Sequence, residues 1–216
     1  DVLRRIVRES YDAQEGWYDF GERAFAAQNP AAPLDLLRAF STDKDEWVRE
    51  GAARNPSTPV ECLRSLARDE NQDVRRDVAG NPSTPRECLR ALAEDKHYEV
   101  VWRAARNSGT PSETLAALAA HADPYVRSSI AGNSSTPVDF LIRLSTSADR
   151  TVRQSIATNP ATPVAVLRSL AADNDGLVRR HVGMNSNTPV ELLATLAGDE
   201  DESVRSGVAG NASTPP

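Results

Sequence analysis

A 26-residue period runs through almost the whole of this 216-residue chain and limits what it can fold into. Asn recurs eight times at this spacing, at 29, 55, 81, 107, 133, 159, 185 and 211. Pro recurs with it at 33, 59, 85, 111, 137, 163, 189 and 215. Seven full repeats, residues 29–210, follow one another without an insertion. Tandem repeats of this length form arrays in which each repeat buries its apolar face against the next.

Each repeat contains two segments with helical periodicity and almost nothing that favours a strand. In the second repeat, Leu63 and Leu66 share one face of the first segment, and Val74 and Val78 share one face of the second. Each helix would have only two or three turns, too few to be stable alone, so its stability must come from stacking on its neighbours. The predicted fold class is therefore all-α, a right-handed α-solenoid (superhelix) of seven 26-residue two-helix repeats.

The ends of these segments carry helix start and stop signals. Thr58 is predicted to be an N-cap, with Pro59 at the first helical position and Glu61 completing a capping box. Gly80 and Asn81 are predicted to stop the second helix in the left-handed conformation. The signals thus predict one helix starting near residue 59 and another ending near residue 80.

The two ends of the chain depart from the period. Residues 1–28 do not fit it, although "GERAFAAQ" at 21–28 matches the end of a repeat and has Arg23 at a recurrent Arg position. We expect residues 1–28 to form an N-terminal helical cap over the first repeat. Residues 211–216 start an eighth, truncated repeat. Because the chain begins with Asp1 and its only methionine is Met184, it is expected to be a fragment of a longer protein.

Charge and hydropathy exclude several classes of function. The net charge is -6, with a sequence pI near 5.2, so the long-range field repels polyanions and favours a basic partner. This argues against nucleic acid and acidic membranes as partners. The longest apolar run, "LAALAA" at 115–120, is far too short to span a membrane, and no signal peptide opens the chain. We therefore expect a soluble, cytoplasmic protein.

The repeat pattern "NPSTPxxxLxxLAxDxxxxVRxxVAxN" resembles that of the leucine-rich repeat variant family of bacterial proteins, which is related in architecture to the HEAT and armadillo solenoids. The match covers residues 29–216. The resemblance implies short α and 3₁₀ helices alternating in a right-handed superhelix, although the repeats here are longer than those of the founding type. That type is associated with an iron–sulfur cluster bound by a cysteine-rich segment before the repeats. Residues 1–28 contain no Cys, so the cluster does not carry over and we predict no cofactor.

An Arg recurs after the repeated Val and could bind a phosphate or a carboxylate. Asp residues lie six or four positions earlier in most repeats, however, which favours an internal Asp/Arg ladder of the kind that HEAT-type solenoids use structurally. Val101 interrupts the series in the third repeat. The predicted structural ladder comprises Arg49, Arg75, Arg127, Arg153, Arg179 and Arg205. The repeated Asn is also predicted to be structural, bonding loop backbone between a helix end and a Pro.

No pattern indicates catalysis or metal binding. Cys62 and Cys88 share one repeat position, so their backbones should lie about 9–10 Å apart, too far for a disulfide, and both are predicted to be buried small side chains. His97, His121 and His181 lie in different repeats without metal-ligand spacing. The chain is therefore predicted to have no catalytic residues, to bind no metal and not to be an enzyme.

The outward positions of the second helices carry different residues in different repeats, because packing of the scaffold does not constrain them. Two of the three Trp and two of the four Tyr lie there, together with Arg, and these residue types dominate binding hot spots. Gap filling between short helices is an alternative role for the rings. The predicted partner-binding residues are Trp47, Arg76, Tyr98, Trp102, Arg103, Arg106, Tyr125 and Arg180.

These observations favour a non-catalytic scaffold that binds a protein or peptide of unknown identity in a groove lined by the second helices. One alternative is a nucleic-acid-binding HEAT-like solenoid, with Trp47, Trp102 and either Asp73 or Asp77 acting on a base. The net negative charge of the chain weighs against this alternative, because neutralisation of phosphate charges supplies most of a protein's affinity for nucleic acid. A further alternative is a structural arm of a larger multidomain protein.

Overall fold

The computed structural model describes Arg5 and residues 19–214. This part of the chain contains fifteen α-helices and no β-strand, which confirms the all-α repeat fold. The first helix of every repeat spans seven residues. These helices are α2 (Leu34–Phe40), α4 (Val60–Leu66), α6 (Arg86–Leu92), α8 (Ser112–Leu118), α10 (Val138–Leu144), α12 (Val164–Leu170) and α14 (Val190–Leu196).

The second helices are slightly longer and are preceded by one helix of the same type. They are α1 (Asp19–Gln28), α3 (Glu46–Arg54), α5 (Gln72–Gly80), α7 (Tyr98–Arg106), α9 (Pro124–Gly132), α11 (Arg150–Thr158), α13 (Gly176–Met184) and α15 (Glu202–Ala209). The 3₁₀ helices implied by the family resemblance are absent from the described residues. Even the short first helices close an i to i+4 bond at their start, as from Leu63 N to Pro59 O at 3.0 Å.

The helices fall into two bodies, residues 1–111 and residues 112–216, here called the N-terminal half and the C-terminal half. In the N-terminal half, α1, α3, α5 and α7 pack side by side in chain order. In the C-terminal half, α9, α11, α13 and α15 do the same. Each first helix contacts the second helix of its own repeat. The second helices thus form a continuous layer within each half.

Repeated apolar residues form the core between these helices. In the N-terminal half Leu63, Val74 and Val78 are completely buried. In the C-terminal half Leu167 and Ile156 are completely buried in one cluster that extends from Ala131 to Val208. Burial at these positions contributes about 1.5–3 kcal/mol per side chain, which offsets the low stability of the isolated helices.

Two glycines permit the closest helix contacts. A Cβ atom on Gly51 of α3 would lie 2.7 Å from Ala24 O of α1, and one on Gly207 of α15 would lie 2.7 Å from Arg180 O of α13. Both distances are shorter than a van der Waals contact, and the backbone oxygens that the Cβ would meet have little freedom to move. The second helices at these crossings therefore pack backbone to backbone, with no room for a side chain between them.

The repeated Asn joins each repeat to the one before it. Asn81 Nδ2 donates to Ala53 O at 2.6 Å and to Asn55 O at 2.9 Å, while its Oδ1 accepts a bond from Ser83 N. The same bonds recur at Asn55, Asn159, Asn185 and Asn211. Because these backbone groups are buried, the Asn side chain satisfies polar atoms that would otherwise lack partners.

The recurrent Arg also bridges repeats. Arg49 donates from Nε and Nη2 to the Asp69 carboxylate of the next repeat, at 2.7 and 3.0 Å, and from Nη1 to the Asp43 carbonyl of its own repeat at 2.9 Å. Equivalent carboxylate pairs join Arg75 to Asp95, Arg153 to Asp173 and Arg179 to Asp199. Burial raises the pKa of Asp173, but the hydrogen bonds from Arg153 and from the Asp175 backbone, together with the nearby arginine charges, outweigh burial and lower that pKa.

Two arginines of this series make only part of these contacts among the described residues. Arg127 Nη1 donates to His121 O and Ala122 O, both at 2.7 Å. Ser147 stands where the partner carboxylate would be. Arg205 Nη1 donates to Asp199 O and Glu200 O. These contacts hold the loop that leads into each arginine's own helix.

In the second repeat the predicted positions of the helix ends are confirmed, since α4 starts at Val60 and α5 ends at Gly80, but the predicted capping contacts are wrong. The residue that precedes α4 is Pro59, with no side-chain cap bond, because the Thr58 hydroxyl donates instead to Ala52 O of the preceding helix at 2.6 Å. Gly80 is the last residue of α5, and Asn81 is extended, with φ -74° and ψ 127°. No described residue has the left-handed conformation. The side-chain bonds of Asn81 stabilise the extended loop without a left-handed turn.

The remaining predictions concern the cysteines and the N-terminus. Cys62 and Cys88 are free and buried, as expected. Residues 1–18, apart from Arg5, lie outside the described residues, and with them most of the predicted cap. The described part, α1, packs against α3 as one second helix packs on the next. Arg23 lies 3.3 Å from Asp43, so the Arg–Asp pairing starts in α1.

Candidate binding face

The outward side of the second helices in the N-terminal half carries the largest set of predicted partner-binding residues. Asp45, Asn71 and His97 precede these helices, and the first two cap α3 and α5: Asp45 Oδ1 accepts from Trp47 N, and Asn71 Oδ1 accepts from Asp73 N. These caps fix where α3 and α5 begin, and with that which of their positions point away from the core.

Two aromatic side chains on this side are exposed. Trp47 on α3 is 54% exposed, and Tyr98 on α7 is 56% exposed, with its hydroxyl 3.3 Å from Glu99 Oε1. Neither ring therefore fills a gap in the core. Large exposed aromatic surface costs solvation free energy, and it is typical of surfaces that a partner covers.

Trp102 on α7 is half-buried, and the guanidinium groups of two arginines lie over its ring. The guanidinium carbon of Arg103 lies 5.5 Å from the Trp102 ring centroid, and that of Arg106 lies 4.9 Å away. Both distances fall within the range of cation–π attraction. Tyr98, Trp102, Arg103 and Arg106 form what we call the α7 patch. The sequence predicted all four as partner-binding residues, but not that both guanidinium groups share the Trp102 ring.

A buried charge network lies beside the α7 patch. Arg54 Nη2 lies 2.6 Å from Glu50 Oε2 and 2.7 Å from Asp77 Oδ2. The contact with Asp77 is a close ion pair whose N–H is not aligned for a hydrogen bond. Burial raises the pKa of Asp77 although Arg54 opposes the shift, and burial likewise raises the pKa of Glu50. In their ionised form both carboxylates therefore cost stability, and this cost falls as the pH drops through their folded-state pKa.

The predicted partner-binding residue Arg76 belongs to the same network. It donates to Asp73 Oδ1, and it lies 3.6 Å from both Asp77 Oδ1 and Glu99 Oε2. The attraction of Asp77 and Asp73 outweighs burial and raises the pKa of Arg76. Arg76 is therefore engaged within the protein by three carboxylates.

Two carboxylates of the second helices are buried, and one of them, Asp77, was a candidate for acting on a base. Glu50 is 4% exposed and Asp77 is 6% exposed, so neither carboxylate reaches the surface. They occupy positions at or beside the crossings of second helices, where Gly51 shows how close the backbones come. Arg54 is the cation that both carboxylates share. Its pairing with Asp77 was not readable from the sequence because Asp77 lies in the next repeat.

A small cleft opens between the buried network and the α7 patch. Its volume is about 120 Å³, and it is lined by Arg54, Asp77, Gly80, Asn81 and Arg103. The Arg103 side chain lies close to Gly80: its Cδ and Nε are 3.5 and 3.6 Å from the site that a Cβ on Gly80 would occupy. The Arg103 side chain therefore lies along α5 and forms one wall of the cleft.

The C-terminal half holds the other two predicted partner-binding residues. Tyr125 on α9 is 66% exposed. Arg180 on α13 is half-buried, and its Nε has no hydrogen-bond partner. Burial lowers the pKa of the neighbouring His181, which favours the neutral imidazole. No described helix is both long and apolar enough to cross a membrane.

Comparisons with known proteins agree with this architecture. Residues 46–71 and 73–97 match the family model described as leucine rich repeat variant. A solved leucine-rich repeat variant with a novel repetitive structural motif is 27% identical, with a TM-score of 0.60, over 96% of this chain and 81% of that chain. An engineered protein is 19% identical, with a TM-score of 0.44, over 97% and 77%. No curated protein matches the sequence.

Proposed function

We propose that this chain, two segments of which match the leucine rich repeat variant model, is a non-catalytic scaffold that binds a protein or peptide on the outward side of its second helices. The observation that carries the proposal is the α7 patch, in which Trp102 holds the guanidinium groups of Arg103 and Arg106. Trp, Tyr and Arg supply most of the free energy at protein interfaces. Here they lie on one helix of a chain in which aromatics make up only 5% of residues.

The scaffold leaves this side free for a partner. Stacking between repeats is supplied by the core leucines, by the repeated Asn and by the Arg–Asp pairs, none of which uses the α7 patch. Trp47 extends the aromatic surface on α3, and Tyr125 and Arg180 offer further contacts in the C-terminal half. The contacts of Arg103 and Arg106 with the Trp102 ring restrict these side chains before binding, which lowers the entropy cost of association.

The test is selection of binders from a displayed library of randomised 12-residue peptides, with the whole chain as the target. Selected peptides are synthesised with a fluorescent label, and their dissociation constants are measured by fluorescence anisotropy. We expect Trp102→Ala to weaken binding at least about 30-fold, as truncation of a hot-spot Trp costs about 2 kcal/mol or more. Far-UV circular dichroism should show that the variant remains helical.

The matched control is Leu34→Ala on the first helix α2, because Leu34 is a large apolar residue of the same half with 53% exposure. It should bind the selected peptides as the parent does. Failure to select any peptide, or equal binding by the parent and Trp102→Ala, would overturn the proposal. Selective capture of single-stranded DNA in place of peptides would point to a nucleic-acid partner.

A further inference from the structure

The arginines of the N-terminal half differ in whether the protein already supplies their counter-ion. Arg54 is paired with Glu50 and Asp77, and Arg76 with three carboxylates. Among the described residues, Arg103 and Arg106 have no carboxylate within ion-pair distance, and both guanidinium groups lie over the Trp102 ring. These two guanidinium groups therefore retain their full capacity to bind an anion.

The geometry around these cations suits a carboxylate on a flexible chain. Arg103 forms a wall of the 120 Å³ cleft and is exposed, so its N–H groups are reachable from solvent. Arg106 lies one helical turn further along α7 and is held at the same ring. A guanidinium group presents paired N–H donors that match the two oxygens of a carboxylate. The ring fixes both cations, so less side-chain entropy is lost when they bind.

The acidic groups near the cleft are already occupied. Asp77 lines the cleft, but it is buried and paired with Arg54. Glu99 is half-exposed, and it lies between the Tyr98 hydroxyl and Arg76. A basic ligand would have to displace these partners, whereas an acidic ligand meets two cations without counter-ions. The local chemistry thus opposes the preference for a basic partner that the net charge of -6 indicates.

We propose that the partner segment bound by the α7 patch is acidic, with an Asp or Glu carboxylate paired to Arg103 and Arg106 and a neighbouring apolar side chain on Trp102. This inference rests on the proposed function, since it names the chemistry of the peptide bound at the same site. The Debye length at physiological salt is about 8 Å. Pairing at contact distance therefore outweighs the screened repulsion from the rest of the acidic surface.

The test repeats the peptide selection with a charge-reversed variant, Arg103→Glu/Arg106→Glu. Its control is Arg86→Glu/Arg168→Glu, which makes the same change in net charge at two exposed positions on the first helices α6 and α12. Both variants are first shown by circular dichroism to remain helical. The parent and the control should select peptides enriched in Asp and Glu relative to the unselected library. The charge-reversed variant should select peptides enriched in Lys and Arg.

The dissociation constants of individual peptides give the size of the charge effect. A peptide selected by the parent should bind Arg103→Glu/Arg106→Glu at least about 10-fold more weakly, because two exposed ion pairs of modest strength are replaced by two repulsions. It should bind the control variant within about threefold of the parent. Each of these measurements uses the whole chain.

The outcomes distinguish failure of this inference from failure of the proposed function. If the parent selects peptides that Trp102→Ala fails to bind but that are not enriched in Asp or Glu, the scaffold stands and the acidic partner is wrong. The same holds if both charge variants shift the selection equally, since the effect would then come from net charge alone. If no peptide is selected, both proposals are overturned.

Discussion

Replacing Leu167 by Ala is expected to lower the free energy of unfolding by about 2–5 kcal/mol, the range for truncating a fully buried Leu. Leu167 is completely buried on α12, in the cluster that includes Ile156 of α11 and Val182 of α13. The cavity would therefore lie between helices of adjacent repeats. Since small domains are stable by only about 5–15 kcal/mol, this is a large fraction of the total. Urea unfolding followed by far-UV circular dichroism measures it.

Val164→Ala is the matched control for Leu167→Ala, because it lies in the same helix but is 41% exposed. It should change the unfolding free energy by less than about 0.5 kcal/mol. Equal unfolding midpoints for the two variants would contradict the assignment of the core face of the first helices. It would also contradict the stacking of repeats through the repeated Leu.

Replacing Asn159 by Ala is expected to cost about 3 kcal/mol or more, since it leaves three backbone groups without their partner at about 1–3 kcal/mol each. Asn159 is 1% exposed. Its Nδ2 donates to Ala131 O at 2.7 Å and Asn133 O at 2.9 Å, and its Oδ1 accepts from Ala161 N at 2.8 Å. The lost bonds join two repeats, so the midpoint of unfolding should shift to a lower urea concentration.

The control for Asn159→Ala is Asn187→Ala, the same substitution at an exposed loop position where Nδ2 bonds only Pro160 O. We expect a change of less than about 1 kcal/mol, because solvent replaces that bond. A loss at Asn159 as small as the loss at Asn187 would show that the repeated Asn does not hold neighbouring repeats together. Both variants are compared in one urea series with the parent.

The helices and their buried faces followed from the sequence because one physical signal, the 26-residue recurrence of Leu and Val, specifies both. Leu63, Val74 and Val78 are buried as predicted. The hydrogen bonds that cap the helix ends did not follow from local signals. Thr58 was predicted to cap its own helix, yet its hydroxyl reaches the previous one. Local rules weigh only the nearest residues, whereas stacking brings another helix end within reach.

The candidate binding face was predicted only in outline. The position of Trp102 on the second helix was readable from the period, but the approach of Arg103 and Arg106 to its ring depends on side-chain rotamers. The burial of Asp77 was missed because a single helix shows which residues point sideways but not how close its neighbour lies. Which arginines are left unpaired likewise depends on contacts between repeats.

The most direct test of the central claim, that a partner binds on the second helices of the N-terminal half, is amide hydrogen exchange of the whole chain with and without a saturating selected peptide. We expect slower exchange in segments from α7 and the adjoining end of α5. Segments from the first helices α4 and α12 should exchange at the same rate in both states. Protection confined to the first helices, or no protection anywhere despite saturation, would contradict the account.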